Sequence, residues 1–340
     1  MSTGGSRRRL LAAGLAGCGL ALAGGRRAQA RQTQARQPQA RQTVTLVVGA
    51  AAGSGADQHA RAFVPFLERH LPHANLTVEN LPGEAGLAAL RRLADAQGDG
   101  SVLGWVATPA LPARAVDTVG AGALLKRLVL VGAMQQEPLV FTAAPPDAPA
   151  SIGAVLRRTV ADGAARALGT PPAGSPAHLT ALQLQAQAGM RLNIVAFPSA
   201  AAARQAALDG TLGAAVLGLG DVLAALRVDE LAGFALAAPG QDMAEPGGMP
   251  PVVHAPGLAL SAAVHRGLAV PASAGAALVE RLQAALRAVV ADPECHDQAA
   301  ADGFLPRYLD GPDWRALASG QRAALARLWL ATPWRGTGIG

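Results

Sequence analysis

The sequence predicts an α/β protein of two lobes with a cleft between them, on three observations. Short apolar, β-branched segments alternate with helical patterns from residue 44 onward, in βαβαβ order. The same alternation starts afresh near Ser151. Two strand-to-helix joints, GAAAGSGADQ after residue 48 and TPPAGSPAH after residue 169, carry almost no large side chains, and ligands of open α/β sheets bind beyond the carboxyl ends of strands.

The leading residues stand apart from this pattern. Residues 1–30, MSTGGSRRRLLAAGLAGCGLALAGGRRAQA, have the basic start, short apolar run and small-residue cleavage motif (Ala28-Gln29-Ala30) of an export signal. SRRRLL from Ser6 resembles a twin-arginine signal, and Arg26 and Arg27 behind the apolar run suit that route. LAGC, ending at Cys18, also reads as a lipoprotein box that would make Cys18 a lipidated N-terminus; chance in an Ala/Gly/Leu-rich segment is the competing reading. The apolar run is too short to span a membrane, which takes about 20 residues. Residues 31–42 continue as a five-residue repeat with nothing to bury, a flexible tether. The expected location is therefore the periplasm, free or lipid-anchored.

Leader and tether also explain the charge. The chain of 340 residues has a formal net charge of +6, but residues 1–41 hold eight arginines and no acid, which leaves 21 basic against 23 acidic side chains. No basic face remains for a nucleic acid. With Cys18 in the leader and Cys295 as the other cysteine, a processed chain has no intrachain disulfide. Alanine-richness beside a single lysine, Lys126, reads as codon bias and is given no structural weight.

Along the chain, residues 44–48 read as a buried parallel strand, and Phe63, Leu67 and Leu71 mark the helix behind it, begun by Ser54 with Asp57 three residues on. A strand at 76–79, a turn at NLPG, a helix at 87–96 and a strand at 102–107 follow, then two strands at 128–133 and 138–142. The second series is a helix at 151–161, strand 165–169, helix 179–188, strand 192–197, helix 200–209 and strands 212–217 and 234–237. From Gly267 the pattern turns mainly helical, ending in an amphipathic helix over 314–330.

A Gly/Ala loop at a strand end lets main-chain N–H groups approach a ligand, and the helix behind it points its positive end the same way: an anion site. Ser175 as N-cap and Pro176 at the first helical position repeat the device in the second lobe. Four or so good hydrogen bonds, less ordering costs, leave roughly 8 kcal/mol, a micromolar dissociation constant. Other chemistries fit less well. Gln58 breaks a G-x-G-x-x-G fingerprint, no Gly-Lys-Ser/Thr completes a phosphate loop, and Ala52 and Ala56 break a G-x-S-x-G elbow. Ser175 with His178 is either a nucleophile and base or a capped helix start. The seven histidines show no zinc-like grouping, and Cys295 sits in an exposed-looking helix. Asp57 would orient the first loop, touch ligand through water, or simply cap its helix.

Seven stretches in order, VTLVVGAAAGSGADQHAR (44–61), VENLPGEAG (78–86), GDGSVLGWVAT (98–108), GTPPAGSPAHL (169–179), VAFPSAAAARQAALDGTLGAAV (195–216), GLAVPASA (267–274) and ADPECHDQAAADGFLP (291–306), resemble the periplasmic substrate-binding proteins of tripartite tricarboxylate transporters, the Bug receptor family. The resemblance covers residues 43–329. It implies a periplasmic binding protein of the Venus flytrap type, each lobe a mostly parallel sheet flanked by helices, with residues 43–138 plus 262–340 in lobe 1 and 139–261 in lobe 2. It further implies a monomer that binds a small organic carboxylate without a cofactor or metal, hinges near 138–142 and 260–266, and delivers its ligand to membrane permease subunits. By matching position the ligand loops hold Ala52, Gly53, Ser54, Gly55 and Asp57, and Thr170, Gly174, Ser175 and His178; Thr108 and Phe197 fall where the family lines its cleft. The chain departs from the family at Gly49-Ala50, where a Pro and an aromatic residue are usual, which implies a more open pocket. Pro172, Phe197-Pro198-Ser199, Gly213 and Ala255 depart as well. The expected function is transport-linked binding; the alternatives are a receptor presenting its ligand to a sensor kinase, or an exported serine hydrolase using Ser175 and His178.

Overall fold

The computed structural model describes residues 41–146, 148–161, 167–237, 260 and 262–334. The export segment, Cys18, residues 31–40 of the tether and Ala255 lie outside the described residues.

The first half follows the predicted order. Strand β1 (Gln42–Val48) leads into helix α1 (Gly55–His70), then β2 (Ala74–Asn80), α2 (Leu87–Ala94) and β3 (Val102–Thr108), with β1 parallel to both β2 and β3. Alternate residues of β1 point to opposite faces, as a strand's period of two requires. Leu46 and Val48 pack with Phe63 and Leu67 of α1, whereas Val47 packs with Leu87, Leu90 and Leu93 of α2. Two short helices the sequence reading lacked, α3 (Ala110–Asp117) and α4 (Ala121–Leu125), follow β3.

Strand β4 (Leu128–Ala143) is one element where two were expected. The polar link Gln135-Gln136-Glu137, read as an interruption, is buried inside the strand, and bulges absorb its irregularity between Leu130 and Gly132 and between Ala133 and Gln135.

The second half comprises α5 (Ile152–Ala161), β5 (Leu168–Thr170), α6 (Pro176–Ala188), β6 (Ile194–Ala196), α7 (Ala200–Leu208), β7 (Ala214–Gly218), α8 (Leu219–Arg227) and β8 (Ala232–Ala237). Here β5 runs parallel to β6 and β7, while the far half of β4 pairs antiparallel with β7 and β8. Leu139 and Phe141 enter one core of this half and Val140 the other.

The chain then returns through β9 (Ala263–Pro271), a strand where a turn toward helices was expected. β9 lies antiparallel between β3 and the near half of β4. It is followed by α9 (Ala276–Val290), α10 (Pro293–Asp302), β10 (Leu305–Asp310) and α11 (Gly311–Ala331). β10 pairs with β4, and Trp314 of α11 is fully buried against the first half. Cys295 is buried at 1% exposure, contrary to the exposed position expected, because its face of α10 turns into the α1 and α9 core. Burial, with the Asp292 charge, pushes its thiol up to about 11, which keeps it protonated and unreactive. Parallel pairing thus joins β2, β1 and β3 in the first half and β6, β5 and β7 in the second, while every antiparallel pair contains β4 or β9, and β8 and β10 lie antiparallel beside β4.

Candidate ligand-binding site

The joint between β1 and α1 is held from within. Ser54 is extended and its hydroxyl accepts the Asp57 N–H at 3.4 Å, the expected N-cap. Asp57, 2% exposed, accepts the Gly53 N–H at 2.8 Å, the Asn80 amide at 2.9 Å and the Arg61 guanidinium at 3.1 Å. Burial alone would raise this carboxyl; the Arg61, Gly53 and Asn80 hydrogen bonds overturn that and hold it below its usual value. Asn80 also donates to Ala50 O at 3.1 Å. Asp57 therefore orients the loop. The Gly53 N–H turns inward on Asp57, and the Ser54 N–H goes to Ala51 O at 3.2 Å. Ala52 is exposed beside them.

Gly49 has a reason the resemblance did not supply. A Cβ there would stand 2.8 Å from Gly86 Cα, so the loop packs directly on a second backbone turn. A side chain at position 49 has no room beside that turn, and both Gly49 and Ala50 line the cavity at the carboxyl ends of β1 and β3. Past the N-cap, Gly55 faces a carboxylate: a Cβ on Gly55 would lie 3.6 Å from Asp221 Oδ1 of α8.

The joint between β5 and α6 is built the same way. Ser175 is extended and its Oγ accepts the His178 N–H at 3.3 Å, with Pro176 at the helix start. The His178 ring turns from Ser175: its Nδ1 lies 3.0 Å from Thr170 Oγ1, which also donates to Pro171 O. Ser175 and His178 are thus a capped helix start with no nucleophile-to-base hydrogen bond. Gly174, at φ +77°, gives its carbonyl to Arg114 Nη2 at 3.2 Å, and Arg114 is itself paired with Asp117 at 2.7 Å. Trp334 Nε1 donates to the same Asp117 at 2.7 Å. A side chain of α3 thereby reaches from the first half to the second loop. Phe197 packs beside Gly169 and Leu212 in the core of the second half, and the buried Thr108 hydroxyl accepts the Trp314 indole N–H at 3.0 Å.

His178 is 7% exposed, and burial lowers its imidazole to about 4. Unfolded, the ring takes a proton near 6.5; folded, only near 4, so stability falls as pH drops through that window. His178→Gln is expected to remove about 2 kcal/mol of the loss between pH 7 and 4.5, read from urea unfolding at the two pH values. An unchanged acid profile would place the ring in water.

Four charged groups the sequence reading missed meet where the halves join. Glu137 of β4, 3% exposed, holds Arg266 of β9 at 2.6 Å, accepts the Gly220 N–H of α8 at 3.2 Å and lies 3.8 Å from His59 of α1. Burial would raise Glu137, but Arg266 and His59 outweigh it and hold the carboxyl low. Asp221 moves the other way, up to about 6, through burial and then the Glu137 charge. Arg266 and Arg114 both line a cavity of about 160 Å³ at the carboxyl ends of β1 and β3, walled otherwise by small and apolar residues such as Gly49, Ala50, Ala56 and Trp105. A wider groove of about 670 Å³ along α11 contains none of the expected ligand residues. The detectable signal was a glutamate within LVLVGAMQQEPLVF and an arginine within AAVHRGLAV, since charges inside apolar strands are buried only when paired. Among the described residues no His/Cys/Asp/Glu group is arranged to hold a metal ion, and no helix is long and apolar enough to cross a membrane.

No protein-family description and no curated protein matches this sequence. Solved structures do match. The periplasmic binding protein BugD is 18% identical, with a TM-score of 0.70 over 85% of this chain and 97% of its own. MatC from Rhodopseudomonas palustris, solved with bound malate, is 21% identical, with a TM-score of 0.70 over 84% and 98%. An R. palustris protein solved with adipate is 18% identical, with a TM-score of 0.72 over 86% and 97%. At these identities the likeness establishes the fold: α/β, two-lobed, of the periplasmic binding protein type.

Proposed function

We propose that this chain is a periplasmic solute-binding protein that captures a small organic carboxylate and passes it to the membrane subunits of a tripartite tricarboxylate-type transporter. The observation that carries the reading is the match along almost the whole length of MatC, a protein solved with malate in place. Binding without turnover is supported by the second loop, where His178 bonds Thr170 and leaves Ser175 as a cap. In this reading residues 43–138 and 262–340 form one lobe and 139–261 the other. The two loops, with Ala52, Gly53, Ser54, Gly55, Asp57, Thr170, Gly174, Ser175 and His178, frame the ligand, and Thr108 and Phe197 stiffen its walls from behind. Residues 1–30 direct export, with Cys18 as a lipidation point, and the protein acts as a monomer without cofactor.

Thermal unfolding in a panel of organic acids, amines and sugars tests it. A ligand present at a hundred times its Kd stabilises the native state by about 2.7 kcal/mol, or roughly 5–10 °C in a chain of this size. At least one carboxylate is expected to produce such a rise. A shift by amines or sugars with none by any acid would end the proposal.

A further inference from the structure

We propose that the groove along α11 is a docking surface for an acidic, amphipathic helical segment of another protein. The groove lies apart from the strand-end loops, and the proposal stands independently of what the cleft binds.

The groove is lined by α11, by α3 and α4, and by the start of β4. On α11 the lining runs from Arg315 to Ala326, a rise of about 17 Å at 1.5 Å per residue. Arg315, Ser319, Arg322 and Ala326 recur at intervals of four, three and four residues, so they share one face of the helix. Leu330 stands four residues further on that face and is 85% exposed.

The first observation is charge. Lys126, Arg315 and Arg322 line the groove, and no acidic residue does. None of the three has an ion-pair partner among the described residues. After Asp313, α11 has no acid, so neither arginine has an acidic neighbour three or four residues away. Elsewhere on the surface Arg69, Arg91 and Arg127 each hold a carboxylate at 2.6 to 2.8 Å. The groove therefore offers charge of one sign, and its complement is an acidic partner.

The second observation is apolar surface between those charges. Leu125, Leu128 and Val129 line the groove half-buried. Among the described residues, Leu330 and Val119, in the turn joining α3 to α4, are two of four large apolar side chains left exposed. Apolar surface rimmed by charge marks an interaction site, and a groove of this kind takes an amphipathic helix, apolar face inward and acids toward the rim. The chain's own termini do not suit it, since residues 1–40 and 335–340 carry arginines and no acidic side chain. A membrane surface has the sign without the shape, because it meets the rim and leaves the concave apolar strip empty.

The test is fluorescence anisotropy of a labelled synthetic peptide of about 14 residues, leucines on one helical face and glutamates beside them, titrated with the full chain. A scrambled peptide of the same composition and one with lysine for each glutamate serve as controls. The acidic amphipathic peptide is expected to bind at least about 10-fold more tightly than either control. The triple variant Lys126→Glu/Arg315→Glu/Arg322→Glu should weaken it by about 10-fold or more, and Leu330→Ala by about 3-fold or more. All four positions are exposed, so the melting temperature should stay at the parent value; Lys126→Gln/Arg315→Gln/Arg322→Gln replaces the reversal if folding is disturbed. Because arginines in residues 1–40 attract any polyanion, binding that survives the triple variant, or that the scrambled peptide shares, overturns the proposal. No binding of the acidic peptide overturns it too, and retention on phosphatidylglycerol vesicles or self-association in the ultracentrifuge, lost in the triple variant, would then identify a membrane or a second copy as the occupant. None of these outcomes touches the carboxylate reading, whose own test is the panel of organic acids.

Discussion

Glu137→Ala lowers the melting temperature by roughly 10 °C or more, the largest effect expected of any single substitution discussed. Removing one partner of a buried ion pair costs about 3–5 kcal/mol, because the other charge stays behind uncompensated, and in a chain of this size each kcal/mol is worth about 2–4 °C. Here the loss is compound. The Arg266 guanidinium loses its ion-pair partner, the Gly220 N–H loses its acceptor, and His59 loses the carboxylate 3.8 Å away. These groups come from β9, α8 and α1, so the residue ties elements of both halves. The sign with pH follows from its lowered value. The contribution is complete above the unfolded value near 4.5 and is lost as pH falls toward 2. Replacing the pair with apolar residues, as in Glu137→Leu/Arg266→Met, is expected to recover much of the stability. A melting point within about 2 °C of the parent for Glu137→Ala would mean that water reaches the pair.

Asp57→Ala is expected to cost about 3 kcal/mol and to abolish the carboxylate-dependent rise in melting temperature. One side chain satisfies a backbone N–H, an amide and a guanidinium, and each hydrogen bond to a charged group is worth about 1.5–3 kcal/mol. The sum is discounted because Arg61 is half in solvent and regains water. Without the carboxylate, Gly53 has no reason to hold φ +79°, and the turn that shapes the cavity wall beside Gly49 relaxes. Calorimetric melts with and without acid measure both effects. Parental stability together with an undiminished ligand shift would show that the loop is held by something else.

The parts of this fold legible in the sequence are those whose cause is local. β1, α1 and the two N-caps follow from β-branching, helical spacing and a serine three residues ahead of its donor. β9 and β10 were not legible, because their cause is remote. The segment AVHRGLAVP becomes a strand by lying between β3 and β4, and Gly267 is required there because its backbone rests against Gly132 and Ala133 of β4. The site divides in the same manner. Both glycine loops announce themselves as strand-end turns, yet which of their amides remain free depends on Asp57 and on Asp221, a residue of the opposite half. Arg114, Glu137, Asp221 and Arg266 are far apart in the chain and no spacing joins them. Only the topology that carries β4 out and β9 back brings them to one place.

That topology has a mechanical meaning. β4 passes unbroken from one sheet into the other, and its near half is hydrogen-bonded to β9 from Leu128 opposite Pro271 to Pro138 opposite Ala263. Rotation of one half against the other would be taken up as extra torsion along this ribbon, most readily where its ladder is already irregular, between Leu130 and Gly132, Ala133 and Gln135, and Phe141 and Thr142. The joint is in this sense a spring whose resting angle is wound into the backbone.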